Sequence, residues 1–96
     1  MLHLIFQSPL QTAIFDRIDP GDEVVLLENA VLHTLQGSAF SARLTQQLNS
    51  NRLYLLSTDM VIRGIAPGDL VKGLEVIDYA DLVDLTVNNP VIQSWT

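Results

Sequence analysis

Hydroxyl and carboxylate side chains follow the third apolar run of the chain, where Ser57, Thr58 and Asp59 stand in a row. A serine or threonine hydroxyl becomes a nucleophile only when a base lies within hydrogen-bonding distance. The only histidines are His3 and His33, both distant in sequence from these hydroxyls. His3 lies inside an apolar run, so we expect it to be packed or at an interface rather than to act as a base.

Cysteine is absent from all 96 residues. The chain therefore cannot supply a disulfide, a thiolate nucleophile or a cysteine-based metal site. Two separated histidines do not make a metal site either. The glycine-rich phosphate-binding patterns Gly-x-Gly-x-x-Gly and Gly-x4-Gly-Lys are both absent from the sequence, so nucleotide binding is disfavoured. We expect no catalytic residue, no cofactor and no metal in this chain.

Two groups of charged residues have both a structural and a functional interpretation. Asp59 and Arg63 are four residues apart, a spacing that allows an ion pair along a helix. That pair is either a solvated surface contact or part of a partner interface, and both interpretations stay open. Asp78, Asp81 and Asp84 favour helix capping over acid–base chemistry, because acidic side chains satisfy free N–H groups in a first helical turn.

Composition favours a protein partner over a nucleic acid. The net charge is −6, and the five Lys and Arg residues are scattered, whereas nucleic-acid binding needs clustered cations. Apolar residues make up 48% of the chain and charged residues only 17%. A small domain has much surface for its volume, so we favour a buried subunit interface over an apolar core alone. With no spanning or signal segment expected, the prediction is a soluble, cytoplasmic protein.

Four apolar runs alternate with helix-like segments, which predicts one α/β domain over residues 1–96 with a mostly parallel sheet of about four strands and helices on both faces. The predicted strands are Leu2–Phe6, Val24–Leu27, Leu53–Leu56 and Leu74–Ile77.

Capping residues and apolar spacing predict the helices between these strands. The expected helix starts are Ser8–Gln11, Asn29, Ser57 or Thr58, and Asp78, with Gly64 ending the third helix. A buried stripe of Leu10, Ala13, Ile14 and Ile18 is expected in the first helix. In the last helix, Tyr79, Leu82, Val83, Thr86 and Val87 fall on one face. Trp95 in the tail Val91–Thr96 is expected to pack against the fold, with an intersubunit contact as the alternative.

Four segments carry a resemblance to a known family. They are Met1–Leu4 with Ser8-Pro9, Gly21–Glu28 with Val31, Leu53–Ile65, and Ile77–Thr86 with Pro90 and Trp95. In this order, and in a chain of this length, they resemble the TusB/DsrH family of small sulfur-relay proteins, and its TusB branch most closely.

The resemblance implies a DsrEFH-like fold with flavodoxin-like layering and a place in a TusBCD-like hetero-hexamer, with two copies each of this chain, a TusC-like subunit and a TusD-like subunit. In such a complex, a cysteine of the TusD-like subunit accepts persulfide sulfur from a TusA-like protein and passes it to a TusE-like protein. The sulfur becomes the 2-thio group of a tRNA wobble uridine. This chain would be a non-catalytic subunit, with Asp59, Arg63, Tyr79, Trp95 and His33 as candidate interface residues.

Three other functions remain possible at this point. A DsrH-like subunit would serve sulfur oxidation, although members of that branch can carry a cysteine. A homo-oligomeric binding module of the same fold would have no sulfur function. A small enzyme using Ser57, Thr58, Asp59 or Asp78 would need a base beside its nucleophile, and the sequence offers none.

Overall fold

Five parallel strands form one sheet in the computed structural model, which describes residues 1–8 and 11–96. The strands lie in the order β4-β3-β2-β1-β5, and each neighbouring pair is parallel. Their bounds are β1 Leu2–Ile5, β2 Glu23–Leu26, β3 Arg52–Leu56, β4 Glu75–Ile77 and β5 Ile92–Trp95. The predicted α/β class with a parallel sheet is confirmed, and the four predicted strands are right to within one residue at each end.

Strand β5 is the strand that the sequence prediction missed. It pairs only with β1, where the Leu2 N–H donates to the Val91 carbonyl at 3.0 Å and the Phe6 N–H donates to the Trp95 carbonyl at 2.9 Å. An edge strand covered on one side needs no continuous apolar run, and Ile-Gln-Ser-Trp has none. The last helix ends at Asn88, two residues before Pro90.

Helical segments cover both faces of the sheet, as predicted. The α-helices are α1 Ser41–Gln47, α2 Ser57–Ile62 and α3 Tyr79–Asn88, and three 3-10 segments span Thr12–Arg17, Glu28–Thr34 and Pro67–Asp69. The chain steps from β1 to β4 in one direction and then returns through α3 to β5 at the opposite edge. Because crossovers between parallel strands are right-handed, the return helix lies on the opposite face.

One face of the sheet, here called the covered face, packs against α1, α2 and the first two 3-10 segments. Its strand residues Ile5, Val24 and Leu53 form a buried cluster with Phe15 of the first 3-10 segment and Leu44 of α1. A second cluster adds α2 and the second 3-10 segment, through Met60 and Val31, to Leu55 of β3. The other face, here called the α3 face, buries Leu2, Val25, Tyr54, Leu56 and Ile77.

Two of the predicted helix caps are wrong. The second 3-10 segment begins at Glu28, with Leu27 as the preceding residue, so the Asn29 side chain does not cap it. Helix α2 begins at Ser57 after Leu56 and has no side-chain cap, so neither Ser57 nor Thr58 has the predicted role. In both cases a buried leucine, Leu27 or Leu56, occupies the capping position, one or two residues before the polar side chain that was expected there.

The first predicted helix is a 3-10 segment that begins at Thr12. Gln11 precedes it without a side-chain cap bond, and the Gln11 N–H donates to Gln7 Oε1 at 3.3 Å. Pro9 and Leu10, on which the predicted capping box and part of the stripe depend, lie outside the described residues. Ile14 and Ile18 are buried as predicted, whereas Ala13 is exposed because the tighter helix turns it outward.

The predicted end of α2 and start of α3 are confirmed. Gly64 follows α2 with φ of +69°, a conformation in which a side chain would be strained. At α3, Asp78 Oδ1 accepts from the Asp81 N–H at 2.8 Å and Asp81 Oδ2 accepts from the Asp78 N–H at 3.2 Å. This reciprocal capping box accounts for two of the three clustered aspartates without acid–base chemistry.

Candidate partner interface

Helix α3 contacts the sheet through a narrower stripe than the sequence predicted. Leu82 and Leu85 are its half-buried residues that pack against the apolar cluster of the α3 face. Tyr79, Val83 and Val87 are 68%, 46% and 76% exposed, so most of the apolar face predicted for this helix does not contact the sheet. The apolar residues of α3 extend around more of the helix than one sheet contact can cover.

A single helix cannot cover this face of the sheet. Ten residues of α-helix extend about 15 Å and have a diameter of about 10 Å. Five strands at their usual spacing span about 19 Å across. Consequently Leu4 and Phe6 stay half-buried, and Ile92 and Ser94 of β5 are exposed on the same face. We call these four residues the β1–β5 strip.

The two flanks of α3 differ in chemistry. On the side toward β4, Asp81, Asp84 and Asn88 line a groove of about 330 Å³ together with Glu75 and Tyr54. Helical spacing places Tyr79, Val83 and Val87 on the other flank, toward the β1–β5 strip. We call α3 with its acidic flank (Asp81 and Asp84) and its apolar flank (Tyr79, Val83 and Val87) the α3 ridge.

Tyr54 lines the acidic groove and is hydrogen-bonded within a partly buried polar network. Its hydroxyl donates to Glu23 Oε2 at 2.7 Å, and Asn89 Nδ2 donates to Glu23 Oε1 at 3.3 Å. Burial and then the hydrogen bond to Glu23 raise the pKa of Tyr54, so the phenol remains a neutral donor. The Tyr54 side chain, followed by the carboxylates of Glu75 and Glu23, raises the pKa of the exposed Arg52.

A second polar cluster lies at the carboxyl edge of the sheet, beyond β2 and β3. Arg63 Nη1 lies 3.6 Å from Asp59 Oδ1, and Arg63 Nε and Nη2 donate to Asn29 Oδ1 at 3.0 and 2.8 Å. Asp59 Oδ2 accepts from the Glu28 N–H at 2.8 Å. Glu28 has φ of +52°, which is unfavourable for a residue with a side chain. Arg63 and Asp59 thus hold a strained turn, and at 20% and 17% exposure they are not a freely solvated pair.

His33 and Trp95 occupy separate places. His33 is half-buried beside Phe40, with ring centroids 5.2 Å apart, and burial lowers its pKa. Its Nε2 lies 3.5 Å from Ser8 Oγ, the upper limit for a hydrogen bond. Trp95 packs against the covered-face cluster, and its Nε1–H donates to His3 Nδ1 at 3.1 Å.

His3 is buried and hydrogen-bonded at both ring nitrogens. Its Nε2 lies 2.9 Å from Asp22 Oδ2, while its Nδ1 accepts from Trp95. Because the indole N–H can only donate, Nδ1 is the acceptor and Nε2 carries the proton toward Asp22. The prediction that His3 is a packed histidine is confirmed.

The five candidate interface residues do not form one surface. Asp59 and Arg63 meet at the carboxyl edge, Tyr79 lies on the α3 face, and Trp95 reaches the covered face. Whether any of them contacts a partner stays a prediction. The exposed residues that sequence reasoning missed are Val83, Val87 and Ile92, together with Leu32, Val61 and Ile62. The signal that could have identified Val83 and Val87 is that the apolar residues of α3 extend around more of the helix than one buried stripe requires.

Comparison with known proteins identifies relatives over nearly the whole length. The sequence matches the family described as DsrH like protein over residues 6–91. It is 32% identical to Protein TusB of Escherichia coli strain K12, an alignment that covers 99% of this chain and 100% of that protein. It is 34% identical to Protein TusB of Erwinia tasmaniensis, with the same coverage.

A solved structure has the same fold. Protein MTH1491 from Methanobacterium thermoautotrophicum, described as a protein of unknown function, superposes with a TM-score of 0.78 over 97% of this chain and 95% of that one. At 14% identity the similarity concerns the fold alone. Within residues 1–8 and 11–96, no helix is long and apolar enough to cross a membrane, and no three potential metal ligands cluster.

Proposed function

This chain belongs to the DsrH family, and we propose that it is a non-catalytic subunit of a TusBCD-like complex that relays persulfide sulfur for the 2-thiolation of tRNA wobble uridine. The observation that carries the proposal is the apolar flank of the α3 ridge with the adjoining β1–β5 strip, a largely apolar surface that the fold leaves open. Relatives named Protein TusB, matched over their full length, supply the sulfur-relay context.

The composition of the chain supports a role without chemistry of its own. Persulfide transfer requires a thiolate that attacks and then releases sulfur, and this chain has no cysteine. A serine could replace it only with a base alongside, and the one described Ser–His approach, Ser8 to His33, is exposed and 3.5 Å long. We therefore assign the sulfur-carrying cysteine to a partner subunit.

The open surface supports a role in assembly. Tyr79, Val83 and Val87 lie beside the β1–β5 strip, so apolar side chains continue from the helix onto the sheet. Burial of such surface is worth about 25 cal/mol for each Å² removed from water. A partner that covers the ridge and the strip would complete the second layer of this face, as the other helical segments do for the covered face.

The proposed partners are a TusC-like and a TusD-like subunit, two copies of each with two of this chain, in the cytoplasm where tRNA is modified. Transfer from a TusA-like and to a TusE-like protein would proceed through the TusD-like subunit. The net charge of −6 is consistent with contacts to proteins and with no direct contact to tRNA.

Isolation of the tagged chain from its native host, followed by native mass spectrometry, tests the proposal. We expect two companion subunits of similar fold, one of which carries a cysteine that accepts sulfur from a persulfide donor. Recovery of the chain only as a monomer or homo-oligomer would contradict the proposal and favour an orphan binding module. Companions that function in sulfur oxidation would favour the DsrH-like alternative.

A matched pair of double variants tests which surface of the chain binds the companion subunits. Val83→Ser with Val87→Ser should abolish recovery of the companions, because both side chains lie on the apolar flank. Val61→Ser with Ile62→Ser alters two comparably exposed residues of α2, 67% and 77% accessible, and should retain the companions. The opposite pattern would move the interface to α2.

A further inference from the structure

We propose that the partner surface that covers the α3 ridge carries lysine or arginine side chains that enter the acidic groove between α3 and β4, beside apolar side chains that cover the apolar flank. This inference rests on the proposed function and specifies the chemistry of the partner. It predicts a contact that straddles the helix, cationic on one flank and apolar on the other.

Charge is distributed unevenly along the chain. After Lys72 no lysine or arginine occurs, while the same segment contains Glu75, Asp78, Asp81 and Asp84. The charged side chains that line the groove are therefore all negative, and the nearby cation is Arg52 at the start of β3. An acidic groove with low-dielectric walls attracts cations more strongly than the same charges spread over a flat surface.

The carboxylates of the groove form no direct ion pair within the described residues, although Glu75 is close enough to Arg52 to raise the pKa of that guanidinium. Among residues 1–8 and 11–96, the ion pairs involve Asp16, Asp22 and Asp59, and none reaches Glu75 or Asp84. The capping box engages Asp81. Within the same residues, neither Glu75 nor Asp84 accepts a hydrogen bond, so both carboxylates remain free to bind a partner.

The shape of the groove suits a long cationic side chain. It has a volume of about 330 Å³, and Val76 and Leu85 line it next to Glu75 and Asp84. The methylene stem of lysine or arginine packs on apolar surface while its charged end reaches a carboxylate. An arginine can bind a carboxylate through two parallel hydrogen bonds, which also fixes the orientation of the partner.

The same charges exclude two other occupants of the ridge. In a two-fold symmetric contact through the ridge, a second copy of this chain would place its own Glu75, Asp81 and Asp84 against this surface, and like charges at an interface oppose association. A nucleic acid would bring phosphates toward carboxylates. The occupant is therefore a different protein with a basic, partly apolar surface.

Carbodiimide cross-linking of the native complex tests the inference, because the reagent joins a carboxylate to a lysine amine in direct contact. We expect cross-linked peptides that pair Glu75 or Asp84 with a lysine of a companion subunit. Glu75→Lys with Asp84→Lys should weaken binding of the companion by about tenfold or more at low salt. Asp16→Asn, which removes one negative charge from the 3-10 segment Thr12–Arg17, should change binding less than twofold.

Each outcome decides the inference separately from the proposed function. Weakened binding without a cross-link supports an arginine contact. Wild-type affinity for the charge-reversed variant, with no cross-link from the groove, overturns the inference even if the companions relay sulfur. A companion cross-linked at Glu75 or Asp84, in a complex of which no subunit accepts sulfur, would support the inference and contradict the proposed function.

Discussion

The two faces of the sheet use similar strand residues but differ in how fully the chain covers them. On the covered face, α1, α2 and the 3-10 segments bury Val24, Leu26, Leu53 and Leu55 to 1% exposure or less. On the α3 face, one helix buries the centre of the sheet and leaves the β1–β5 strip open. The difference arises because all the other connections run in one direction across the sheet and only α3 returns.

This comparison separates residues that maintain the fold from residues free to serve assembly. A core side chain loses both its burial and its packing contacts when truncated, whereas an exposed one loses little. We therefore expect substitutions on the covered face to destabilise the chain, and substitutions on the α3 ridge to alter assembly while leaving the isolated chain stable.

The largest effect is expected for Leu53→Ala in β3. Leu53 is 1% exposed within the covered-face cluster, so its truncation should lower the free energy of unfolding by about 2 to 5 kcal/mol. Ile92→Ala in β5, where the side chain is 43% exposed, should cost less than about 1 kcal/mol. Urea denaturation measures both variants, and equal losses would mean that the two faces do not differ.

An intermediate effect is expected at the start of α3. Asp78→Ala removes the oxygen that accepts from the Asp81 N–H at 2.8 Å and should cost about 1 kcal/mol. Asp84→Ala alters a neighbouring aspartate without a capping role and should change stability by less than about 0.5 kcal/mol. If the two substitutions cost the same, charge rather than capping would explain this cluster.

The smallest effect is expected in how stability depends on acidic pH, at Asp22, which directly precedes β2 and is hydrogen-bonded to His3. Burial pushes the pKa of Asp22 upward, but hydrogen bonds from His3, the Asp19 N–H and the terminal ammonium outweigh it and lower the pKa. A lowered pKa means that Asp22 stabilises the fold above its unfolded value of about 3.9 and loses that contribution as the pH falls through its folded value.

As the pH falls below about 4, the Asp22→Asn variant should therefore lose less free energy of unfolding than the unaltered chain does. Urea denaturation at several pH values measures this slope of unfolding free energy against pH. Asp16→Asn, at an exposed ion pair with Arg43, supplies the control and should leave the slope unchanged. An unaltered slope in Asp22→Asn would show that its hydrogen bonds do not favour the ionised form.

The regular parts of the fold were predictable because local chemistry determines them. Apolar runs marked four of the five strands, three of them near-continuous, and Asp78 marked the start of α3. Strand β5 was not predictable in this way, since its sequence is polar and its pairing depends on β1, some 90 residues earlier. The sequence does not distinguish the 3-10 segments Thr12–Arg17 and Glu28–Thr34 from α-helices, because both kinds of helix leave similar apolar spacing over six or seven residues.

The candidate site was harder to predict than the fold. Asp59 and Arg63 pair as their spacing indicated, yet their contacts to Glu28 and Asn29 come from a distant segment. The exposure of Val83 and Val87 depends on how much of the sheet one helix covers, which requires the width of the sheet and the position of α3. Sequence periodicity marks them as apolar and cannot show that no element of the chain covers them.

Hydrogen–deuterium exchange of the chain, free and within its native complex, tests the central claim most directly. If the α3 ridge and the β1–β5 strip form the subunit interface, backbone amides of residues 79–95 should exchange more slowly in the complex. Amides of the covered-face segment Thr12–Arg17 should exchange at the same rate in both states. Slower exchange confined to the covered-face segments, with residues 79–95 unchanged, would contradict the account.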